Sequence, residues 1–326
     1  MQAAFLQKSS SSFIFPIFDF VFKDSVIMKT PHSSRRAFFK ASAATAVAAS
    51  LSHRLSAADE ASGLKGRINH SACKWCYNDI PLEDFCRAGK EIGLTSIDLV
   101  GINDFDTLKK HGLTCAMVGG ISIDGPGGVK LGGIEKGFNR PEYHDALASG
   151  LERYIKATAD FGAKHVIVFS GNRDGMDDET GLKNCAEGLK KALPFAEKHG
   201  ITLVMELLNS RVNHADYQCD KSAWGVELCK AVSSDNFKLL YDIYHMQIME
   251  GDIIATIKRD HRYFAHYHTG GVPGRHEIDG SQELHYPAIM QAIVDTGFKG
   301  HVAQEFIPAK ADKLASLRQA VGICDV

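Results

Sequence analysis

The stretch Lys238-Leu239-Leu240-Tyr241-Asp242-Ile243-Tyr244-His245-Met246-Gln247-Ile248-Met249-Glu250-Gly251-Asp252 decides the fold. In it a short apolar run ends abruptly on a carboxylate and gives way to a loop. The same ending recurs upstream at Val204-Met205-Glu206 and downstream at His266-Tyr267-His268 and Ala303-Gln304-Glu305. Each reads as a buried strand whose last residue is a metal-ligand type. Working outward, comparable runs begin at Asn69–Cys76, Ser96–Val100, Leu113–Val118 and His165–Ser170, which with Thr202–Leu207, Lys238–Asp242, Tyr263–Thr269 and Gly300–Glu305 makes eight. Between them lie amphipathic stretches with apolar residues three and four apart, among them Pro81–Ile92, Pro141–Phe161, Leu182–His199, Lys221–Val232 and Leu284–Thr296. Gly93, Gly112, Gly162, Gly200 and Gly297 each follow a helical segment, where a left-handed residue ends the helix and turns the chain into the next strand.

Eight strand–helix units over residues 59–326 predict an α/β fold, a single-domain (β/α)8 TIM barrel. An open doubly wound sheet is the rival. It would carry a Gly-rich phosphate loop after the first strand, where this chain has Tyr77-Asn78-Asp79-Ile80-Pro81. With 326 residues, 44% of them hydrophobic and 23% charged, the chain can bury a large core. A net charge of -2 provides no basic field for a phosphate backbone, so nucleic acid is not an expected partner.

In a barrel the chemistry sits at the C-terminal strand ends, so Glu206, Asp242, His268 and Glu305 are expected to converge. Three carboxylates and one imidazole buried together are costly unless a cation compensates them. Three oxygen donors and one nitrogen suit one divalent metal ion, Mg2+, Mn2+ or Co2+, with positions left open for a substrate.

The block Tyr241–Asp252 quoted above, followed by Gly271-Val272-Pro273-Gly274-Arg275-His276-Glu277, resembles the hydroxypyruvate isomerase family, one of the xylose-isomerase-like sugar isomerase and epimerase barrels. The resemblance runs from about residue 69 to the end of the chain. It implies a metal site at Glu206, Asp242, His268 and Glu305 and an isomerase that works through an enediolate. One position departs from it. Hydroxypyruvate isomerases often carry glutamine where this chain has His268, whereas ketose 3-epimerases use the second histidine of an H-x-H, as in His266-Tyr267-His268. A sugar 3-epimerase or isomerase is therefore the alternative reading, and a non-catalytic sugar-binding barrel or a phosphodiester hydrolase are alternatives of other classes.

Moving a proton between adjacent carbons needs an acid and a base on either side of the substrate, and Glu206 and Glu305 are the expected pair. His245, three residues beyond Asp242 in the following loop, is expected to hydrogen-bond a substrate oxygen. Arg275 is expected to hold a carboxylate or hydroxyls. His266 is expected either to orient a ligand or to be a core histidine. Trp75 and Tyr77 are weaker candidates for a pocket wall, and Glu277, Asn172 and Arg173 for the active face. The expected partner is a small hydroxycarbonyl or sugar, with a homo-oligomer compatible and no stable membrane anchor.

Residues 1–58 differ in composition from the remainder. From Met28 they read Ser34-Arg35-Arg36-Ala37-Phe38-Phe39-Lys40, an Ala-rich run from Ala41 to Leu51, then Ser56-Ala57-Ala58, as in a twin-arginine export signal. This predicts an exported, periplasmic enzyme starting near Asp59, with Met28 an alternative start. The segment Phe13–Phe22 is too short to span a bilayer. The eight cysteines all fall in the mature part, where an oxidising compartment permits disulfides, but the lone Cys73-x-x-Cys76 reads as buried structural cysteine.

Overall fold

The computed structural model describes residues 63–326; the export signal, Met28 and the boundary at residue 58 lie outside the described residues. Seven parallel strands form one curled sheet in the order β2 (Ser96–Asp98), β1 (Asn69–Cys73), β9 (His301–Gln304), β8 (Phe264–Thr269), β7 (Phe237–Asp242), β6 (Thr202–Glu206) and β5 (His165–Val168). The predicted third strand closes the gap between β2 and β5. On one side Ile97 N donates to Thr114 O (3.1 Å) and Leu99 N to Met117 O (2.8 Å). On the other, Val118 N donates to His165 O (3.0 Å) and Ile167 N to Val118 O (3.1 Å). This stave is not a regular strand, because the Ala116 N–H is taken by the Ser96 hydroxyl (2.7 Å) and the backbone ladder skips there. Leu99 beside it has a positive φ of 58°. A two-stranded hairpin that the periodicity did not announce, β3 (Ile123–Asp124) and β4 (Lys130–Leu131), projects from the loop after this stave.

The helices are α1 (Leu82–Ile92), α2 (Phe105–Lys110), α3 (His144–Phe161), α4 (Asp178–His199), α5 (Ser222–Val232), α6 (Ile243–Met249), α7 (Ile253–Asp260), α8 (Tyr286–Asp295) and α9 (Lys313–Cys324). The five punctuating glycines all adopt the positive φ expected of them, from 64° to 101°. Among the described residues no helix is long and apolar enough to cross a membrane. All eight cysteines are free and buried, as packed apolar side chains are.

Strands covered by helices outside and filled inside are buried on both faces, which is why β6 and β7 are apolar almost throughout. Inside the barrel the filling is divided. Met117, Ile167, Val204 and Leu240 form a separate apolar cluster, whereas β1, β2 and β8 contribute the buried polar residues Ser71, Ser96, Asp98, His266 and His268.

Outside, α3 and α4 pack closely enough that a Cβ at Gly188 would lie 2.5 Å from His144 Cδ2. His144 cannot step aside freely, because it is buried and its Nε2 is 2.9 Å from Phe138 O. Gly188→Ala, which would gain about 1 kcal/mol of helix propensity, is therefore expected to lose about 1–3 kcal/mol by overpacking. Urea unfolding would register this as a lower midpoint at unchanged slope, and a midpoint equal to or above that of the parent would contradict it.

Candidate metal and active centre

Side chains alternate across a strand, so the inward positions of β6, β7 and β8 bring Glu206, Asp242 and His268 to one end of the barrel. Glu305 joins them just beyond β9, its N–H bonded to Thr269 O (3.0 Å). One ligand atom from each of the four lies within 4.8 Å of the others, and all four residues are buried. His268 Nδ1 is 2.7 Å from Glu305 Oε2 and 3.4 Å from Glu206 Oε1. Glu206 Oε1 is buried without a hydrogen-bond partner. The four predicted ligands thus do come together.

Arg275 reaches the same cluster from the loop after β8. Its Nη2 is 2.6 Å from Glu305 Oε2 and 3.4 Å from Asp242 Oδ2, and Nε donates to Glu305 O (3.3 Å). Its guanidinium carbon lies 5.1 Å from the centre of the Trp75 ring and 5.2 Å from that of Tyr244. Trp75 is more than a wall, since its indole N–H donates to Glu305 Oε1 at 2.7 Å. Both oxygens of Glu305 are therefore committed, and Glu206 retains a free one.

His245 is not in a loop. The chain passes from β7 straight into α6, because the Asp242 carboxylate accepts the His245 N–H (3.1 Å) and caps the helix. The His245 ring is fully buried. Its Nδ1 accepts from the backbone N–H of Asn209 (3.1 Å) and sits 2.6 Å from the Asn209 amide nitrogen. Burial, followed by the charge of Arg275, keeps this imidazole neutral, with a pKa well below the ordinary value. Since Nδ1 is an acceptor, the proton sits on Nε2, 3.6 Å from Asp242 Oδ2 and otherwise without a partner in the protein.

Three buried carboxylates cannot share one guanidinium equally. Burial, only partly offset by Arg275, pushes Asp242 well above the usual carboxylate range; burial, against the pull of His268, also raises Glu206. For Glu305 burial works in the same direction, but His268 and Arg275 outweigh it and hold this group well below that range. The donor set, its convergence and the unpartnered Glu206 oxygen fit a divalent cation, which would let all three acids ionise together.

A cavity of about 360 Å³ opens over the cluster. Glu206, Glu305, Arg275 and His214 supply its polar end, and Trp75, Leu99, Ile121, Ile134 and Phe169 line much of the remainder. Tyr77 does not contribute; it is buried in the core and stacks on Phe85 at 4.7 Å. Arg173 is engaged with Asp220 (3.0 Å) and Asp178 (3.2 Å), Glu277 receives the N–H groups of Ala309 and Lys310, and the Asn172 carbonyl accepts from Asn139 (2.7 Å). These three hold loops together.

Two residues escaped the sequence reading. Asn209 gives no signal beyond its place three residues after Glu206. Asp98 is hidden in the sequence, because the second run reads on through Leu99 to Val100 and leaves it inside the strand, whereas β2 ends at Asp98. It is fully buried, with Oδ2 at 2.5 Å from His266 Nε2 and 3.7 Å from His268 Nε2. The Cys73 thiol is also 3.7 Å from His268 Nε2. His266 thus pairs with Asp98 and packs edge-on against the ring of His268, with ring centres 5.1 Å apart.

Residues 106–321 match the family described as xylose isomerase-like TIM barrel. The chain belongs to that family. Curated relatives carry isomerase names, two of them as follows. A 2-oxo-tetronate isomerase of Cupriavidus necator is 35% identical over 122 residues, covering 37% of this xylose isomerase-like chain and 46% of the relative, less than half of its length. A human protein provisionally named as a hydroxypyruvate isomerase is 25% identical over 262 residues, 76% of this chain and 86% of that one. Among solved structures, one titled AP endonuclease, family 2, from Brucella melitensis superposes with a TM-score of 0.66 at 23% identity, covering 77% of this chain and 97% of its own; at that identity it shows the shared fold.

Proposed function

We propose that this barrel is a metal-dependent isomerase that interconverts a small hydroxyketone and the corresponding hydroxyaldehyde through an enediolate, as in hydroxypyruvate and tartronate semialdehyde. The carrying observation is the arrangement of Glu206 and Glu305 around one converging ligand set at the floor of a cavity. The isomerase names of the relatives support the same class.

A divalent metal held by Glu206, Asp242, His268 and Glu305 would act as a Lewis acid toward the substrate carbonyl and its neighbouring hydroxyl. The side chains supply the rest. Glu206, with its uncommitted oxygen, takes the proton from the hydroxyl-bearing carbon. Glu305, held by Trp75, Arg275 and His268, is assigned the adjacent carbon: as Arg275 turns to the substrate it takes up a solvent proton and delivers it there, and Glu206 passes its own proton to solvent to close the cycle. His245 presents Nε2–H to the oxygen that gains negative charge. Arg275, in exchanging part of its contact with Glu305, receives the substrate carboxylate. The apolar walls exclude water from the enediolate. The twin-arginine pattern supports export to the periplasm.

The H-x-H at His266–His268 supports a second reading, epimerisation of a ketose at the same site. Metal-loaded protein in deuterated water separates the two. Isomerisation puts one deuterium at carbon 2 of the aldehyde made from hydroxypyruvate, and epimerisation puts one at the inverted carbon of a ketose. Loss of both activities on dialysis against EDTA, with recovery on adding Mn2+, is the expected companion result. Exchange into neither substrate would refute both readings.

A further inference from the structure

We infer that His214 is a substrate-binding residue: from the cavity wall it donates to the second oxygen of a substrate carboxylate whose first oxygen meets Arg275, and so selects hydroxyketo acids over neutral hydroxyketones. The inference rests on the isomerase reading above and names the substrate class of that site.

Of the side chains lining the cavity, Trp75, Glu206, His214, Arg275 and Glu305 carry a polar atom, and all but one are already engaged. Trp75 donates to Glu305, Arg275 is in contact with Glu305 and Asp242, and Glu206 and Glu305 belong to the converging ligand set. His214 is half-buried, and its ring makes no hydrogen bond or ion pair among the described residues. A carboxylate entering the cavity needs donors for both of its oxygens. Arg275 cannot supply both as a fork while its Nη2 is held by Glu305 and Asp242 and its Nε by the Glu305 carbonyl. Elsewhere the lining side chains are apolar, among them Ile134, Ile167 and Phe169, so the second oxygen finds its side-chain donor at His214.

The loop after β6 holds the ring in place. Asn209 Oδ1 accepts the N–H groups of Val212 and Asn213 (3.0 and 2.9 Å), and the Asn209 carbonyl accepts that of His214 (3.1 Å). An asparagine that closes a turn with its own side chain fixes the backbone of that turn. The turn is tied in addition to α6, because Asn213 Oδ1 accepts from the Tyr244 hydroxyl (2.9 Å) and the Asn209 N–H is given to His245 Nδ1 (3.1 Å). The His214 ring lies at 55° to that of His245, with centres 5.3 Å apart. Burial and then the charge of Arg275 lower the pKa of His214, which puts the two side chains within electrostatic reach of each other. A neutral and a charged imidazole both carry an N–H to donate.

The test compares hydroxypyruvate with hydroxyacetone, which keeps the carbonyl and the carbinol but carries a methyl in place of the carboxylate. Deuterium exchange into the carbinol carbon is followed with the Mn2+-loaded chain. The parent is expected to prefer hydroxypyruvate. His214→Phe is expected to raise the KM for hydroxypyruvate about 10-fold with kcat little changed, the mark of a contact made equally before and during the reaction. Exchange into hydroxyacetone should stay at the parent's level, and His214→Gln, which keeps an N–H, should recover part of the loss. A parent that exchanges both compounds equally well, or a His214→Phe variant that loses neither or loses both in proportion, would overturn the inference. Exchange into neither compound by the parent would overturn the isomerase reading instead, and calorimetric titration of hydroxypyruvate then decides His214. There His214→Phe is expected to bind about 10-fold more weakly than the parent; equal affinity would overturn its role, and no binding by the parent would overturn both.

Discussion

Glu206→Gln is expected to reduce turnover by about 10²- to 10⁴-fold. The substitution preserves shape and leaves a carbonyl oxygen toward His268, but removes the group able to accept a proton. Glu206 suits this assignment because its Oε1 is buried and unpartnered, whereas Glu305 has Trp75 on one oxygen and His268 and Arg275 on the other. Deuterium exchange into substrate should fall in parallel with product formation, since both begin with the same proton, and the Michaelis constant should change far less than kcat. Parent-like exchange in Glu206→Gln would remove this residue from the proton path.

Arg275→Met is expected to destabilise the metal-free protein by about 3–5 kcal/mol, the range for removing one member of a buried ion pair. The guanidinium lies against Glu305 and Asp242 and is itself largely buried, so its loss leaves carboxylates clustered without their cation. Loss of its stacking on Trp75 and Tyr244 acts in the same direction. Urea unfolding in EDTA should show the full deficit. Saturating Mn2+ should restore part of it, because an ion that binds only the folded state stabilises that state and neutralises the same acids. An identical deficit with and without Mn2+ would mean that Arg275 acts through packing rather than charge.

The barrel was legible in the sequence because helix stops and strand ends recur at regular places, and Gly93, Gly162 and Gly200 do cap α1, α3 and α4. The ligand set was legible for a related reason. A carboxylate closing an apolar run violates the usual pattern of burial, and the violation appeared at consecutive strands. His245 was placed in a loop because nothing in the spacing reveals that Asp242 serves both as candidate ligand and as helix cap. Asp98 escaped because the run reads on through Leu99 to Val100, whereas the positive φ of Leu99 follows directly on a strand that ends at Asp98. The loss of regular pairing at residues 114–118 depends on the Ser96 hydroxyl displacing a backbone acceptor, a tertiary contact that no local periodicity encodes.

That interrupted stave divides labour within the wall. Strands β6 to β8 carry three of the candidate ligands, with Glu305 just past β9, whereas the irregular seam between β2 and β5 feeds Leu99, Gly119, Gly120 and Ile121 into the cavity. Those four residues belong to the cavity wall and not to the candidate ligand set, so substitutions there are expected to reshape the cavity while leaving the converging ligands in place.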